Sequence, residues 1–212
     1  MATSYASLGD YASALRLARE SHESGKQFAD FGEMMRTSIG QGDILLRLGQ
    51  TDEARTMYQR ALEYASKANY APFEVQAWTG LAEAELRARR WASAEEALNR
   101  AESVAGASVL AKARMERLRG ECAMGRGDFD EARKRFEAAV ELGDRVAARR
   151  GLAAVLMRRG DLKGAWEQLD LAIQELERVR SRAPGPELRM SFLRENARAP
   201  RPCWAPMPVR AR

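Results

Sequence analysis

The feature that most restricts the fold of this chain is a six-residue phrase that occurs five times. Each copy has Gly or Arg at a predicted turn, in most copies a large apolar residue, and an alanine at its end. The copies begin at Gly9, Gly49, Arg89, Gly127 and Gly160, so successive starts are separated by 40, 40, 38 and 33 residues. A period of this length is typical of arrays in which each repeat is a pair of helices.

The segments on both sides of each phrase repeat as well. A predicted helix with a small residue near its middle precedes the phrase, and a second helix follows it. The small residues are Gly42, Ala82, Gly120 and Ala153. In the second helices, apolar residues follow at spacings of four and three, as in Ala132, Phe136 and Ala139, which places them on one helix face.

This pattern predicts two helices that cross closely. The small residue lets the second helix approach, and the aromatic residue or leucine four positions after the alanine fills the gap between repeats. No single pair can bury its apolar face alone, so the pairs must stack. We therefore expect an all-α solenoid of about four to five helix pairs. Glu85 departs from the otherwise mostly apolar pattern of the first helices.

The repeated residues resemble the tetratricopeptide repeat family over about residues 2–180. One copy of the match is Trp78, Leu81, Ala82, Ala94, Leu98 and Ala101, and another is Gly120, Ala123, Gly127, Asp128, Phe129, Ala132, Phe136 and Ala139. The resemblance implies a right-handed solenoid of helical hairpins over 1–182, with turns near 9, 49, 89, 127 and 160. The family's proline between repeats is missing, and the first periods are nearer 40 than 34 residues. This longer variety is similar to the arrays of large bacterial signalling proteins.

The C-terminal segment, 183–212, is rich in Pro and Arg, and we expect it to be disordered. Within it, residues 186–193 resemble the segment that joins repeat arrays to the caspase-like CHAT domain of bacterial proteins. This resemblance suggests a truncated or frameshifted relative of such a protein. The lone Trp204 is interpreted as an incidental residue or a short docking element, whereas Trp78, Trp91 and Trp166 are predicted to lie in the core.

Catalytic chemistry finds little support in the sequence. His22 is the only histidine, and neither it nor Cys122 or Cys203 has a partner that the sequence places beside it. No Cys or His spacing is typical of zinc sites, and the glycines of 125–127 belong to a turn between helices. We expect no enzyme activity, no cofactor and no metal.

The location of the protein is predicted from what the sequence lacks. The first eight residues have no basic and apolar signal pattern, and no apolar run is long enough to span a membrane. The two cysteines imply no disulfide framework. We expect a cytoplasmic protein with no membrane partner.

The candidate binding site is the concave groove lined by the first helix of each repeat. In the family, positions just after the small residue tend to face this groove. Here acids stand directly after the small residue in three repeats, some arginines lie near them, and other arginines lie a turn or two earlier on the same helices. The predicted groove residues are Asp43, Arg47, Glu83, Arg87, Arg114, Arg117, Glu121, Arg150 and Arg158. Arginine binds carboxylates through two parallel hydrogen bonds, so this face is suited to a charged peptide. The alternative is a solvated face whose charges pair within the array.

These observations favour a protein-interaction scaffold, the docking or sensory region of a bacterial signalling protein. One alternative is a basic helical solenoid that binds nucleic acid, based on a net charge of +5, although much of the excess lies after residue 188. Another is an inactive fragment of a caspase-like protease. The apolar faces at both ends of the array also predict end-to-end self-association.

Overall fold

A computed structural model describes residues 10–68, 70–104 and 108–182 of the chain. These residues form helices and turns, with no strand among them. The helices are α1 (Tyr11–Gln27), α2 (Phe31–Arg47), α3 (Thr51–Ala68), α4 (Ala71–Arg87), α5 (Trp91–Ser103), α6 (Val109–Arg126), α7 (Phe129–Glu141), α8 (Arg145–Arg158) and α9 (Leu162–Arg182). The predicted turn at Gly9 and the whole segment 183–212, with its CHAT-like stretch and Trp204, lie outside the described residues.

Several helices begin after an aspartate whose side chain caps the first turn. Asp10, Asp30 and Asp128 each accept a hydrogen bond from the backbone N–H three residues later, at 2.9–3.1 Å. Such a cap satisfies one of the amide groups that an α-helix leaves without a partner. The aspartate in the repeated phrase therefore has a local structural cause.

The turns between paired helices begin at the same residues as the repeated phrase. Gly49, Gly127 and Gly160 have positive φ angles of 79°, 83° and 82°, a conformation that glycine adopts without steric cost. The remaining turn has Arg89 at this position with a φ of 59°, so an ordinary side chain occupies the left-handed region.

The helices stack as four pairs, α2–α3, α4–α5, α6–α7 and α8–α9, preceded by the single helix α1. The first helices of successive pairs contact one another, α2 with α4, α4 with α6, and α6 with α8. The second helices of the described pairs make no such contacts with each other. The stack therefore has the first helices on its inner face, and the predicted all-α tetratricopeptide-like solenoid is confirmed.

Aromatic side chains on second helices fill the space between neighbouring pairs. Tyr58 of α3 lies against Gly42 of its own pair and Gly80 of the next, and a Cβ atom added at Gly42 would lie 2.7 Å from its ring. Phe136 of α7 repeats this arrangement: a Cβ added at Gly120 would lie 2.8 Å from its ring, and one at Gly151 would lie 2.5 Å away. Both aromatic side chains are almost completely buried. Each ring fits because glycine faces it on both sides.

Helices α1 and α5 have a smaller side chain at this repeat position than the aromatic residues of α3 and α7, and the packing around them differs. Leu98 of α5 takes the place of Phe136, and it is fully buried in the same core cluster as Leu118 of α6. In α1 the equivalent residue is Ala18, and a Cβ atom added at Gly40 of α2 would meet nothing within 4 Å. At this repeat position, glycine is therefore in close contact only where the preceding second helix carries an aromatic ring.

Glu85, which breaks the apolar pattern of α4, is buried as one member of a charge cluster. Its carboxylate accepts hydrogen bonds from Arg55 of α3, at 2.7 Å, and from Arg90. The two guanidinium groups compensate the cost of burying the carboxylate.

The prediction that all three repeat tryptophans lie in the core is wrong for one of them. Trp78 and Trp91 are partly buried against the main core cluster. Trp166 is 71% exposed, on a face of α9 that also exposes Leu162 and Ile173. The physical reason is that no described helix follows α9 to cover this face. Self-association through the array ends stays a prediction.

None of the helices in residues 10–182 that the structure describes is long and apolar enough to cross a membrane.

Candidate functional site on the inner face

The predicted groove residues lie on the first helices, α2, α4, α6 and α8, and several of them bind each other. Glu83 of α4 is the central group. Its two carboxylate oxygens accept from Arg87 Nη2 at 2.9 Å and from Arg114 Nη2 of α6 at 2.8 Å. Burial alone would raise the pKa of this carboxyl. The positive charges of Arg114, Arg117 and Arg87 outweigh that effect and lower the pKa to about 2. Glu83 is therefore ionised at neutral pH.

Asp43 extends this network to α2. Its Oδ1 atom accepts a hydrogen bond of 2.6 Å from the hydroxyl of Tyr58, the ring that fills the gap between the first two pairs. Burial raises the pKa of Asp43, and the positive charge of Arg114 opposes the shift. Arg87 links the same helices from the other side, because its Nη1 atom donates to the backbone oxygen of Leu46.

Arg117 forms a second centre, which joins α6 to α8. Its guanidinium donates to Glu121, four residues later on the same helix, and through Nε to Asp144 at 2.8 Å. Burial lowers the pKa of Arg117, but Glu121, Glu83 and Asp144 outweigh it and raise the pKa above its usual value. Asp144 is the N-cap residue of α8, but its side chain makes no capping hydrogen bond there.

The fourth pair interrupts this pattern. Arg150 of α8 has the repeat position of Arg117, and Ala154 stands where α6 has Glu121. Arg150 is exposed, and no described residue pairs with its guanidinium. Arg47 and Arg158 are exposed as well, and Arg158 lies at the turn edge of the stack. The inner face thus has paired charges in its middle and, at α8, an arginine that forms no ion pair with a described residue.

The structure brings together two site residues that the sequence reasoning missed. Tyr58 fits the apolar pattern of the second helices, and its hydroxyl also donates a hydrogen bond to Asp43. Asp144 was not singled out, although an aspartate just before a helix is a recognisable N-cap signal. Its contact with Arg117 spans 27 residues and has no local sequence signature.

The two remaining candidates for chemistry are buried in the array. His22 is 3% exposed, and its Nδ1 atom lies 3.1 Å from the hydroxyl of Thr37. Burial, with Lys26 and Arg60 nearby, lowers the pKa of His22 below its usual value. Cys122 is fully buried, and burial raises the pKa of its thiol to about 12. The thiolate needed for a nucleophile is therefore scarce at neutral pH.

Sequence comparison with known families agrees with this architecture. Two tetratricopeptide repeat models match the chain, one over residues 33–106 and the other over residues 117–186, and together they cover more than half of it. The chain belongs to the tetratricopeptide repeat family. No curated protein matches its sequence.

Solved structures of other repeat proteins share the fold. TTC0263, a thermophilic TPR protein of Thermus thermophilus, is 21% identical with a TM-score of 0.66, over 92% of this chain and 95% of its own. BtubC from P. vanneervenii is 20% identical with a TM-score of 0.66, over 87% of this chain and 80% of its own. MamA from Desulfovibrio magneticus RS-1 is 21% identical with a TM-score of 0.56, over 84% and 92%. At these identities the likeness is one of fold.

Proposed function

We propose that this chain is a protein-interaction scaffold and that its inner face binds an acidic peptide segment at α8. The repeat fold supports the first part, because stacked helix pairs form an extended concave surface suited to binding. The charge of the face supports the second part. Of the nine residues predicted for the groove, six are arginines and three are acids.

The observation on which the proposal rests is the difference between Arg117 and Arg150. Arg117 has two carboxylate partners, from Glu121 and Asp144. Arg150 has the same repeat position, but Ala154 removes the carboxylate one turn later. A carboxylate from a partner peptide would fill the place that Glu121 fills beside Arg117. Arginine suits this role because its planar guanidinium offers two parallel donors to one carboxylate.

The wider setting of this scaffold is proposed on sequence grounds. The long repeat period and the CHAT-like stretch at 186–193 support a docking or sensory region of a bacterial signalling protein. The two cysteines, for which the sequence predicts no disulfide framework, support a reducing, cytoplasmic location.

Selection from a displayed random peptide library tests the proposal. We expect selected peptides to be rich in Asp and Glu. Arg150→Gln should weaken their binding by about tenfold, which corresponds to about 1.4 kcal/mol. Lys134→Gln is the matched control, because Lys134 is an exposed cation on the second helix α7, and its loss should leave the affinity unchanged.

A second variant supplies the missing acid from within the chain. Ala154→Glu places a carboxylate four residues after Arg150, as Glu121 follows Arg117, and it should compete with the peptide and weaken binding. Because Ala154 is buried in the second core cluster, urea unfolding of this variant must show that it stays folded. Circular dichroism checks that each variant stays helical. The proposal fails if the library yields no binders, if the binders are not acidic, or if Lys134→Gln weakens binding as much as Arg150→Gln.

A further inference from the structure

A cleft at the turn edge of the stack has features that the inner-face proposal does not use. It lies where the C-terminal ends of α4, α6 and α8 approach the starts of α5 and α7, and its volume is about 330 Å³. That volume suits one or two side chains and falls near the lower end of ordinary ligand sites. The lining residues are Arg89, Trp91, Met124, Gly125, Arg126, Gly127, Phe129 and Arg158.

The charges around the cleft are all of one sign. Three arginines line it, and none of the described acidic residues does. Arg126 is bound to Glu95, so one of these charges is compensated within the array. Arg89 and Arg158 have no ion pair with any described residue. The cleft therefore presents two guanidinium groups that are complementary to carboxylates.

The walls of the cleft are aromatic. Trp91 and Phe129 occupy the large apolar position of two successive repeats, and both line it. Gly125 makes room for the indole, since a Cβ atom added there would lie 2.6 Å from the ring of Trp91. In the first and second helix pairs, an arginine stands at the repeat position of Gly125, namely Arg47 or Arg87. The aromatic surface is open because the third pair has glycine instead.

The backbone at Arg89 differs from that of the other turns between paired helices. Three of the four described turns between paired helices have glycine with positive φ, and only this turn has a non-glycine residue, with a φ of 59°. An arginine in this conformation is less favourable than glycine. Ala29, in the turn between α1 and α2, has a similar φ of 53°, so the backbone conformation alone assigns no role to Arg89; its place in the lining of the cleft does.

We propose that this cleft is a second peptide-binding site, which takes an acidic segment with a large apolar side chain. The apolar side chain packs between Trp91 and Phe129, and flanking carboxylates pair with Arg89 and Arg158. Cations at the rim and aromatic rings in the wall together distinguish this ligand from a purely acidic or purely apolar segment.

The test uses the full chain and a capped peptide with one phenylalanine between two pairs of glutamates, with affinity measured by calorimetry. Arg89→Gly removes the guanidinium and relieves the left-handed strain, so the variant should remain folded. We expect Arg89→Gly and Arg158→Gln each to weaken binding by about tenfold. Replacing the phenylalanine of the peptide with alanine, or its glutamates with glutamines, should weaken binding by a similar factor.

Arg150→Gln separates this site from the inner face. It removes any contribution of the inner face to binding, and in this variant Arg89→Gly, Arg158→Gln and the loss of the peptide's phenylalanine should each still weaken the remaining binding by about tenfold. Wild-type affinity in Arg89→Gly would overturn the proposal, as would equal binding of the peptide with alanine in place of phenylalanine. Loss of binding in Arg150→Gln without loss in Arg89→Gly would place the peptide on the inner face, which would overturn this proposal and leave the scaffold function standing.

Discussion

The third and fourth helix pairs have the same repeat pattern but different surroundings. In the third pair, Phe136 is 1% exposed because α8 covers it, and Arg117 is paired because Asp144 at the start of α8 reaches it. In the fourth pair, Leu169 is only partly buried and Arg150 has no partner among the described residues. The sequence of each repeat determines its own two helices. How far its aromatic or leucine side chain is buried, and whether its inner-face arginine is paired, depend on the helix pair that follows.

The largest expected effect is the loss of a buried aromatic ring. Phe136→Ala should lower the free energy of unfolding by about 3–5 kcal/mol, because it leaves a cavity between two glycines that cannot fill it. Leu169→Ala, at the equivalent position of α9, should cost only about 1 kcal/mol, since less apolar area is buried there. Urea unfolding of both variants measures the difference. Equal losses in the free energy of unfolding would contradict the claim that the two pairs differ in burial.

Acid should act mainly on the paired charges in the middle of the array. The pKa of Glu83 is about 2 in the folded chain and about 4.5 when unfolded, so its contribution is present above pH 4.5 and lost as the pH falls through 2. This contribution is on the order of 3 kcal/mol. Glu83→Gln should flatten the pH dependence of unfolding in this window. Glu96→Gln, at an exposed residue of α5, should leave the dependence unchanged.

A smaller effect distinguishes two glycines at the same repeat position. Gly151→Ala should lower the free energy of unfolding by about 1–3 kcal/mol, because its Cβ atom would lie 2.5 Å from the ring of Phe136. Gly40→Ala should stabilise α2 by about 0.5–1 kcal/mol, since nothing lies within 4 Å of the added atom. Adding Phe136→Leu should recover part of the loss in Gly151→Ala. Destabilisation by both alanines would contradict the account of packing.

Much of the fold was predictable because it is local and periodic. The repeated phrase predicted the turns near Gly49, Arg89, Gly127 and Gly160, and the small residues predicted close approach at Gly42 and Gly120. Gly80 and Gly151 were missed because the rings that face them come from the preceding pair. Trp166 was misplaced because the repeat pattern assumes a following helix that the described chain does not have.

The site was less predictable than the fold. The repeat register placed Glu83, Arg117 and Arg150 on the first helices. Which charges pair depends on side-chain conformations across a gap of about 30 residues, as between Glu83 and Arg114. Ala154 stands at the repeat position of Glu121, and this difference matters for binding because Glu121 pairs with Arg117.

The most direct test of the central claim is to map where a bound acidic peptide contacts the chain. Backbone amide chemical shifts are recorded during titration with the acidic peptide from the library selection. The account predicts that the largest changes fall on α8 around Arg150 and on the facing part of α6. Changes confined to the second helices α3, α5, α7 and α9 would contradict it.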